Sequence, residues 1–321
     1  MRKVIPINSN IDELKSSRDK FSLHIEYDQL DTLTHQQYSN NSLLSMLNDW
    51  NRFSAFCRSK HVSVLPASIT AIRLFLEAES KKRKYATLRR YSLTIGLIHR
   101  LHSLADPTNH RQIHFTLSAL RIEKKGDATQ AIAFTRQHLI QLTHLLEHSD
   151  SVKDLRDLII YHLMFECALK RGQLRAIQRS HLILQDHESS HIMIGDTQYT
   201  LDSTLSTLLD RWFSILPSHN NYLLSRIDKH GNLGDQPLDD SSIYRVFRRA
   251  SDLLKLPQSL NFSGQSSRIG AAKDLYSQGY NLKQIQDFGR WMSPVMPAQY
   301  LEKHQLSESG QLKFKQIKNW D

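Results

Sequence analysis

Apolar residues recur at helical spacing through most of the chain. In SLLSMLNDWNRFSAFCRSK, Leu43, Leu44, Leu47, Trp50, Phe53 and Phe56 fall on one stripe with polar residues between, which predicts an amphipathic helix. ITAIRLFLEAES repeats the pattern, and ATLRRYSLTIGLIHRLHSL sustains it over almost five turns. In that last segment Leu88, Tyr91, Ile95, Ile98 and Leu101 form the stripe, so Arg89, Arg90 and Arg100 face outward. HFTLSALRIEKKG adds a shorter helix. The polar stretch EKKGDATQ (123–130) lacks periodicity and precedes a fresh helix start at Thr135, which makes it the expected domain boundary.

Beyond that boundary, QHLIQLTHLLEHS and VKDLRDLIIYHLMFECALK read as helices. HLILQDHESSHIMIGDTQYTLD changes character: short apolar runs between polar turns, with Gly195-Asp196 as a hairpin signal, predict a small antiparallel sheet. Helices resume with STLLDRWFSIL, SSIYRVFRRASDLLKL, SRIGAAKDLYSQG and NLKQIQDFGRW. The expected fold is mainly α with one small antiparallel β-sheet. A helical N-terminal domain spans residues 1–126 and an α+β domain spans residues 127–321.

Charge refines this picture. The chain carries a formal charge of +10, and residues 51–100 hold eleven Lys/Arg against two Asp/Glu. Nearly the whole excess sits in one sixth of the chain. A solvated helix face is the plain explanation, but such a block also suits a polyanion, because each neutralised phosphate releases counterions. Nucleic acid is the first candidate partner and an anionic membrane surface the second, and Arg83, Lys84, Arg89 and Arg90 are the candidate contacts here. Arg245, Arg248 and Arg249 are the candidates in the second domain, since a core-facing helix would not carry three arginines in five residues.

Other chemistries drop out. There is no P-loop, dinucleotide-binding glycine pattern or nucleophile elbow. His144 and His148 stand at i, i+4 without the acidic residue of a zinc-protease helix, and neither Cys57 nor Cys167 has a partner at zinc spacing, so no metal site is expected. Two isolated cysteines in apolar helices suit reduced core thiols in a cytoplasmic protein. No apolar run reaches the roughly 20 residues of a membrane span, and the N-terminus has no signal-peptide core.

The C-terminal third carries a resemblance. FSGQSSRIGAAKDLYSQG (262–279) leads into IQDFGRWM (285–292), and Tyr300 follows Trp291 by nine residues. The order and spacing resemble the H-x-x-R box, the G-H/W pair and the terminal tyrosine of the tyrosine recombinases, the phage integrase family. ALKRGQLRAI (168–177) sits where that family has its first arginine box, and ATQAIAFTRQHL (128–139) resembles the entry to its catalytic domain. The likeness runs from about residue 40 to the end.

That resemblance implies a mechanism without metal or nucleotide cofactor. A tyrosine attacks the scissile phosphodiester and forms a 3′-phosphotyrosine, and two arginines clamp the phosphate. A hairpin lysine protonates the leaving oxygen, a His and a His/Trp assist, and an acidic residue steadies the first arginine. By position, Tyr300 is the nucleophile, Arg268 the second arginine and Trp291 the His/Trp. Lys170 stands at the first arginine, Gln173 at the acidic residue, Gln198 at the hairpin lysine and Gln265 at the box histidine. Lysine lacks the planar fork, and glutamine cannot donate a proton to an alkoxide. Arg171, about 100° around its helix from Lys170, would need a register shift to take that arginine's place.

The expectation is therefore a family member that binds specific double-stranded DNA as a C-shaped clamp, with strand cleavage and exchange weakened or lost. A working site-specific recombinase in which Lys170 and Gln265 suffice, with or without Lys273 or Arg290 recruited, is the first alternative, and a non-enzymatic interaction scaffold the second. The resemblance further implies an inverted-repeat site and a homodimer or tetramer docked through the C-terminal segment ESGQLKFKQIKNW. The location expected is the cytoplasm, on the nucleoid of a prokaryote or its mobile element.

Overall fold

The computed structural model describes residues 11–127, 130–183 and 190–301. The C-terminal segment and residues 184–189 of the sheet region lie outside them. The chain divides into two compact units, residues 1–129 and 130–321.

In the first unit the described helices are α1 (Ile11–Phe21), α2 (Tyr27–Leu33), α3 (Asn40–Ser59), α4 (Ile69–Ser80), α5 (Tyr85–Leu101) and α6 (Arg111–Glu123). Their core gathers Trp50 and Phe53 from α3, Phe75 from α4, and Leu88, Tyr91, Ile95 and Ile98 from α5. The stripe on α3 differs from the expected one. Leu43, Met46, Trp50, Phe53 and Cys57 are buried at steps of three and four, whereas Leu44 is 47% exposed. It lies about 100° past Leu43, outside the packed face. Asp49 is buried too, because Arg90 grips its carboxylate with two bonds of 2.8 Å and Thr94 adds a third.

The second unit is built on α8 (Val152–Glu166), whose residues 155–165 are buried throughout. Around it lie α7 (Arg136–Leu146), α9 (Arg171–Arg175), α10 (Ser203–Ile215), α11 (Asp240–Leu253), α12 (Ser266–Ser277), α13 (Leu282–Phe288) and α14 (Val295–Tyr300). Thr135 caps α7. Strands β1 (Leu182–Ile183), β2 (His191–Ile194) and β3 (Thr197–Thr200) form an antiparallel sheet. Gly195 and Asp196 close the β2–β3 hairpin, with Gly195 at φ +61°, as a two-residue turn demands. A second sheet, β4 (Ser225–Ile227) with β5 (Leu233–Pro237), is an addition that periodicity does not show. The fold is mainly α with small antiparallel sheets.

Phe134 anchors this core against the rings of Tyr161, Phe165, Phe247 and Phe262. Its backbone N–H donates to Ser266 O at 2.9 Å. Gly270 makes that approach possible: a Cβ there would stand 1.6 Å from the Phe134 carbonyl oxygen. The start of α12 is thereby fixed. Cys57 and Cys167 are buried free thiols. No described helix is long and apolar enough to cross a membrane.

Candidate functional site

Four stretches distant in sequence meet at one cavity of about 590 Å³. They are the segment after α8, Tyr244 on α11, the start of α12 with the residues just before it, and residues 291–300, which run from the α13–α14 turn through α14. Lys170, Arg171, Gln265, Arg268, Trp291 and Tyr300 all line it. Three of these are cations, and no carboxylate occurs among the lining residues. Such a cavity favours an anion.

The local backbone explains the convergence. Helix α8 stops before the expected end of its apolar run, because Ala168 adopts φ +47°, a left-handed conformation that non-glycine residues rarely take. The turn frees the carbonyls of Cys167 and Ala168. Arg268, on the buried face of α12 and 5% exposed, donates Nη1 to Ala168 O and Nη2 to Gly289 O, the latter at 2.9 Å. Two of its five N–H donors are so engaged, leaving three for a ligand. Burial lowers its pKa to about 10, with the Tyr300 oxygen opposing that shift. No carboxylate pairs with it among the described residues.

Trp291 stacks on this arginine, with the guanidinium carbon 4.2 Å from the ring centroid, and meets the Tyr300 ring edge-on at 6.1 Å. Gly289 is required beneath the indole, since a Cβ there would fall 1.9 Å from the Trp291 ring. Tyr300, the last residue of α14, is buried, and its hydroxyl accepts a hydrogen bond of 2.8 Å from Gln265 Nε2.

Lys170 precedes α9, where the Gln173 side chain accepts from its backbone N–H at 2.9 Å. Its ammonium titrates below the usual lysine value, through desolvation first and then repulsion from Arg268 and Arg290. Arg171, the next residue, reaches the cavity as well and crosses Gly264, where a Cβ would sit 2.5 Å from its Cδ. A glycine immediately before Gln265 was the available signal. Gln198 is exposed on β3 and is not among the lining residues. Its neighbour Tyr199 links the hairpin to the same turn, donating its hydroxyl to Phe288 O and lying 4.8 Å beneath the Arg290 guanidinium. Lys273 does not line the cavity.

The remaining basic candidates divide. Arg89 is exposed on α5, and Lys84 stands exposed just before it. Arg83 lies 3.5 Å from Glu79, and Arg90 is held by Asp49. On α11, Arg245 is exposed and donates to Ser242 Oγ, and Arg248 lies over the Tyr244 ring. Arg249 departs from the outward trio: it reaches inward to Asp154 at 2.5 Å and the buried Asp157 at 2.9 Å. Two carboxylates that α8 presents to α11, Asp157 buried and Asp154 half-buried, account for that turn. His144 and His148 lie beside Glu147 on the surface.

Comparisons with known proteins converge. Residues 109–306 match the phage integrase family. The recombinase Cre of Escherichia phage P1 is 25% identical over 326 residues, covering 92% of this chain and 91% of that protein. An integrase/recombinase XerD homologue of Selenomonas ruminantium is 23% identical, covering 85% of each. Among solved structures, XerH recombinase bound to a palindromic difH substrate aligns with a TM-score of 0.65 at 14% identity, over 94% of this chain and 88% of that one. A lambda integrase dimer bound to a COC′ core site aligns at 0.59 and 15% identity, over 89% and 76%.

Proposed function

The chain belongs to the phage integrase family, the tyrosine recombinases, and from that membership we propose that it binds a specific duplex DNA sequence and holds a backbone phosphate beside Tyr300 in a site whose strand-cleavage chemistry is weakened. The observation that carries this reading is the joint placement of Arg268, Trp291, Tyr300 and Gln265 around one cationic cavity free of carboxylates. A phosphodiester there would meet Arg268 through N–H donors that the two carbonyls leave over, and the Tyr300 oxygen is already oriented by Gln265.

Weakening follows from what stands at the other positions. Gln265 supplies a hydrogen bond where a histidine would also move a proton, and Gln198 supplies no cation. Loss of a positioned general acid costs about 10²- to 10⁴-fold, and loss of one transition-state donor on the order of 10²–10³. These losses do not multiply, since such residues act as a unit.

In this reading the first unit grips DNA through α3 and α5, with Arg89 and Lys84 on phosphates and Arg83 and Arg90 beside them. Helix α11 contributes Arg245 and Arg248, while Arg249 supports it from within. The site is an inverted repeat bound by a homodimer, with ESGQLKFKQIKNW (308–320) as the docking segment. Selection of bound duplexes from a random pool tests the reading. The expected outcome is an inverted-repeat winner whose log affinity falls steeply with log salt, and a slow covalent adduct on a nicked version that Tyr300→Phe abolishes. A flat salt response would refute it.

A further inference from the structure

Leaving-group protonation is the step for which the expected hairpin lysine is missing. The 5′-oxygen departs as an alkoxide unless a proton reaches it, and Gln198 has none to give. Among the described residues, the candidates for a donor are those on the cavity wall. Histidine and carboxylic acid are absent there. Arg268 is tied by two main-chain carbonyls, and Arg171 crosses Gly264 toward Asp240 O. Both guanidiniums are thereby committed to main-chain carbonyls, which fixes them as clamps for an anion. Tyr300 is the attacking group, already bonded to Gln265.

Lys170 remains. Its ammonium forms no ion pair among the described residues, and its backbone is fixed by Gln173. It sits on a segment held by two arginines from elsewhere in the unit, since Arg268 donates to Ala168 O and Arg290 donates to Cys167 O at 2.9 Å. We infer that Lys170 is the general acid of strand cleavage, so that the proton donor has moved from the hairpin to the position of the first arginine. A lysine there loses the fork of an arginine and gains a transferable proton. The crowding of cations acts in the same direction, because desolvation and the guanidiniums of Arg268 and Arg290 make the ammonium readier to release that proton.

The step balances. Tyr300 Oη forms a bond to phosphorus as the P–O5′ bond breaks, and the electron pair of that bond takes a proton from Lys170 Nζ to give a 5′-hydroxyl. The phenolic proton passes to water, with Gln265 Nε2 holding the developing phenolate. Solvent then restores the ammonium.

The assignment rests on the reading of Tyr300 as nucleophile, and one experiment separates the two. The full chain is incubated with nicked duplexes of the selected sequence. Half are normal and half carry a sulfur in place of the 5′-bridging oxygen, one phosphate at a time. A thiolate leaves without protonation. Lys170→Arg is expected to form adduct on normal DNA about 10²- to 10⁴-fold more slowly than the unaltered protein, yet to approach its rate on the sulfur substrate. Lys170→Met should also regain rate on the sulfur substrate, but less completely because the charge is gone. Cleavage of normal DNA by Lys170→Arg at the original rate or faster would overturn the assignment and make Lys170 a deficient arginine. Equal slowing on both substrates, with adduct still dependent on Tyr300, would overturn it as well while sparing the nucleophile. Absence of adduct on either substrate with the unaltered protein would overturn both.

Discussion

Gly289→Ala isolates the packing that assembles the site. The new methyl carbon would fall 1.9 Å from Trp291 Cζ3 and 2.4 Å from Cε3 and Cη2. Carbon contacts settle near 3.5–4.0 Å, so the indole must shift by roughly 1.5 Å or more. It has little room, with the Arg268 guanidinium 4.2 Å from its centroid and the Tyr300 ring against its edge. Overpacking of this kind costs about 1–3 kcal/mol. For a unit of this size each kcal/mol lowers Tm by about 2–4 °C, giving roughly 2–12 °C by thermal denaturation. The backbone of Gly289 lies at φ −87°, which alanine accepts without strain. In a Trp291→Ala background the clash is gone, and the same substitution should be neutral or stabilising by up to about 1 kcal/mol through the unfolded chain. A double-mutant cycle therefore predicts a coupling of at least about 1 kcal/mol. Additivity within about 0.5 kcal/mol would refute the account of why this glycine precedes the tryptophan.

Arg268→Lys keeps the charge but cannot bridge Ala168 O and Gly289 O together while facing a phosphate, so adduct formation on a nicked duplex should fall on the order of 10²–10³. Arg89→Gln should lower the slope of log affinity against log salt by about 0.9 in gel shifts, with no change in urea midpoint. Arg249→Gln should do the reverse, costing about 1–3 kcal/mol in urea denaturation because Asp154 and Asp157 lose a charged donor. Burial raises the Cys57 thiol from 9.0 to about 12 in the folded chain. Its contribution is full below pH 9 and lost as pH rises, because the unfolded chain then ionises while the folded one does not. The stability advantage over Cys57→Ala should shrink by about 1 kcal/mol between pH 8 and pH 10.

Much of this arrangement is legible in the chain because the period of burial is local. The stripe of α5 and the Gly195-Asp196 turn follow from spacing alone, and the boxes around Arg268, Trp291 and Tyr300 are close enough in sequence to be read together. What escapes is decided by partners far along the chain. Asp49 reads as a solvated carboxylate until Arg90, forty-one residues on, is found against it. Arg249 reads as a surface charge until α8 supplies Asp154 and Asp157. The β4–β5 sheet escapes because LGDQP has no alternation, and the early end of α8 escapes because nothing in ECALK announces a left-handed alanine.

The bonds from Arg268 to Ala168 and Gly289 bear on how such chains change over generations. An arginine that ties two remote stretches of main chain together is a strut before it is a reagent. A lineage could abandon breakage of DNA altogether and still be unable to discard this side chain, because its removal would loosen the wall to which the tyrosine and the indole are fitted. Retention of that arginine testifies to architecture, and turnover must be judged from the groups around it that are free to drift.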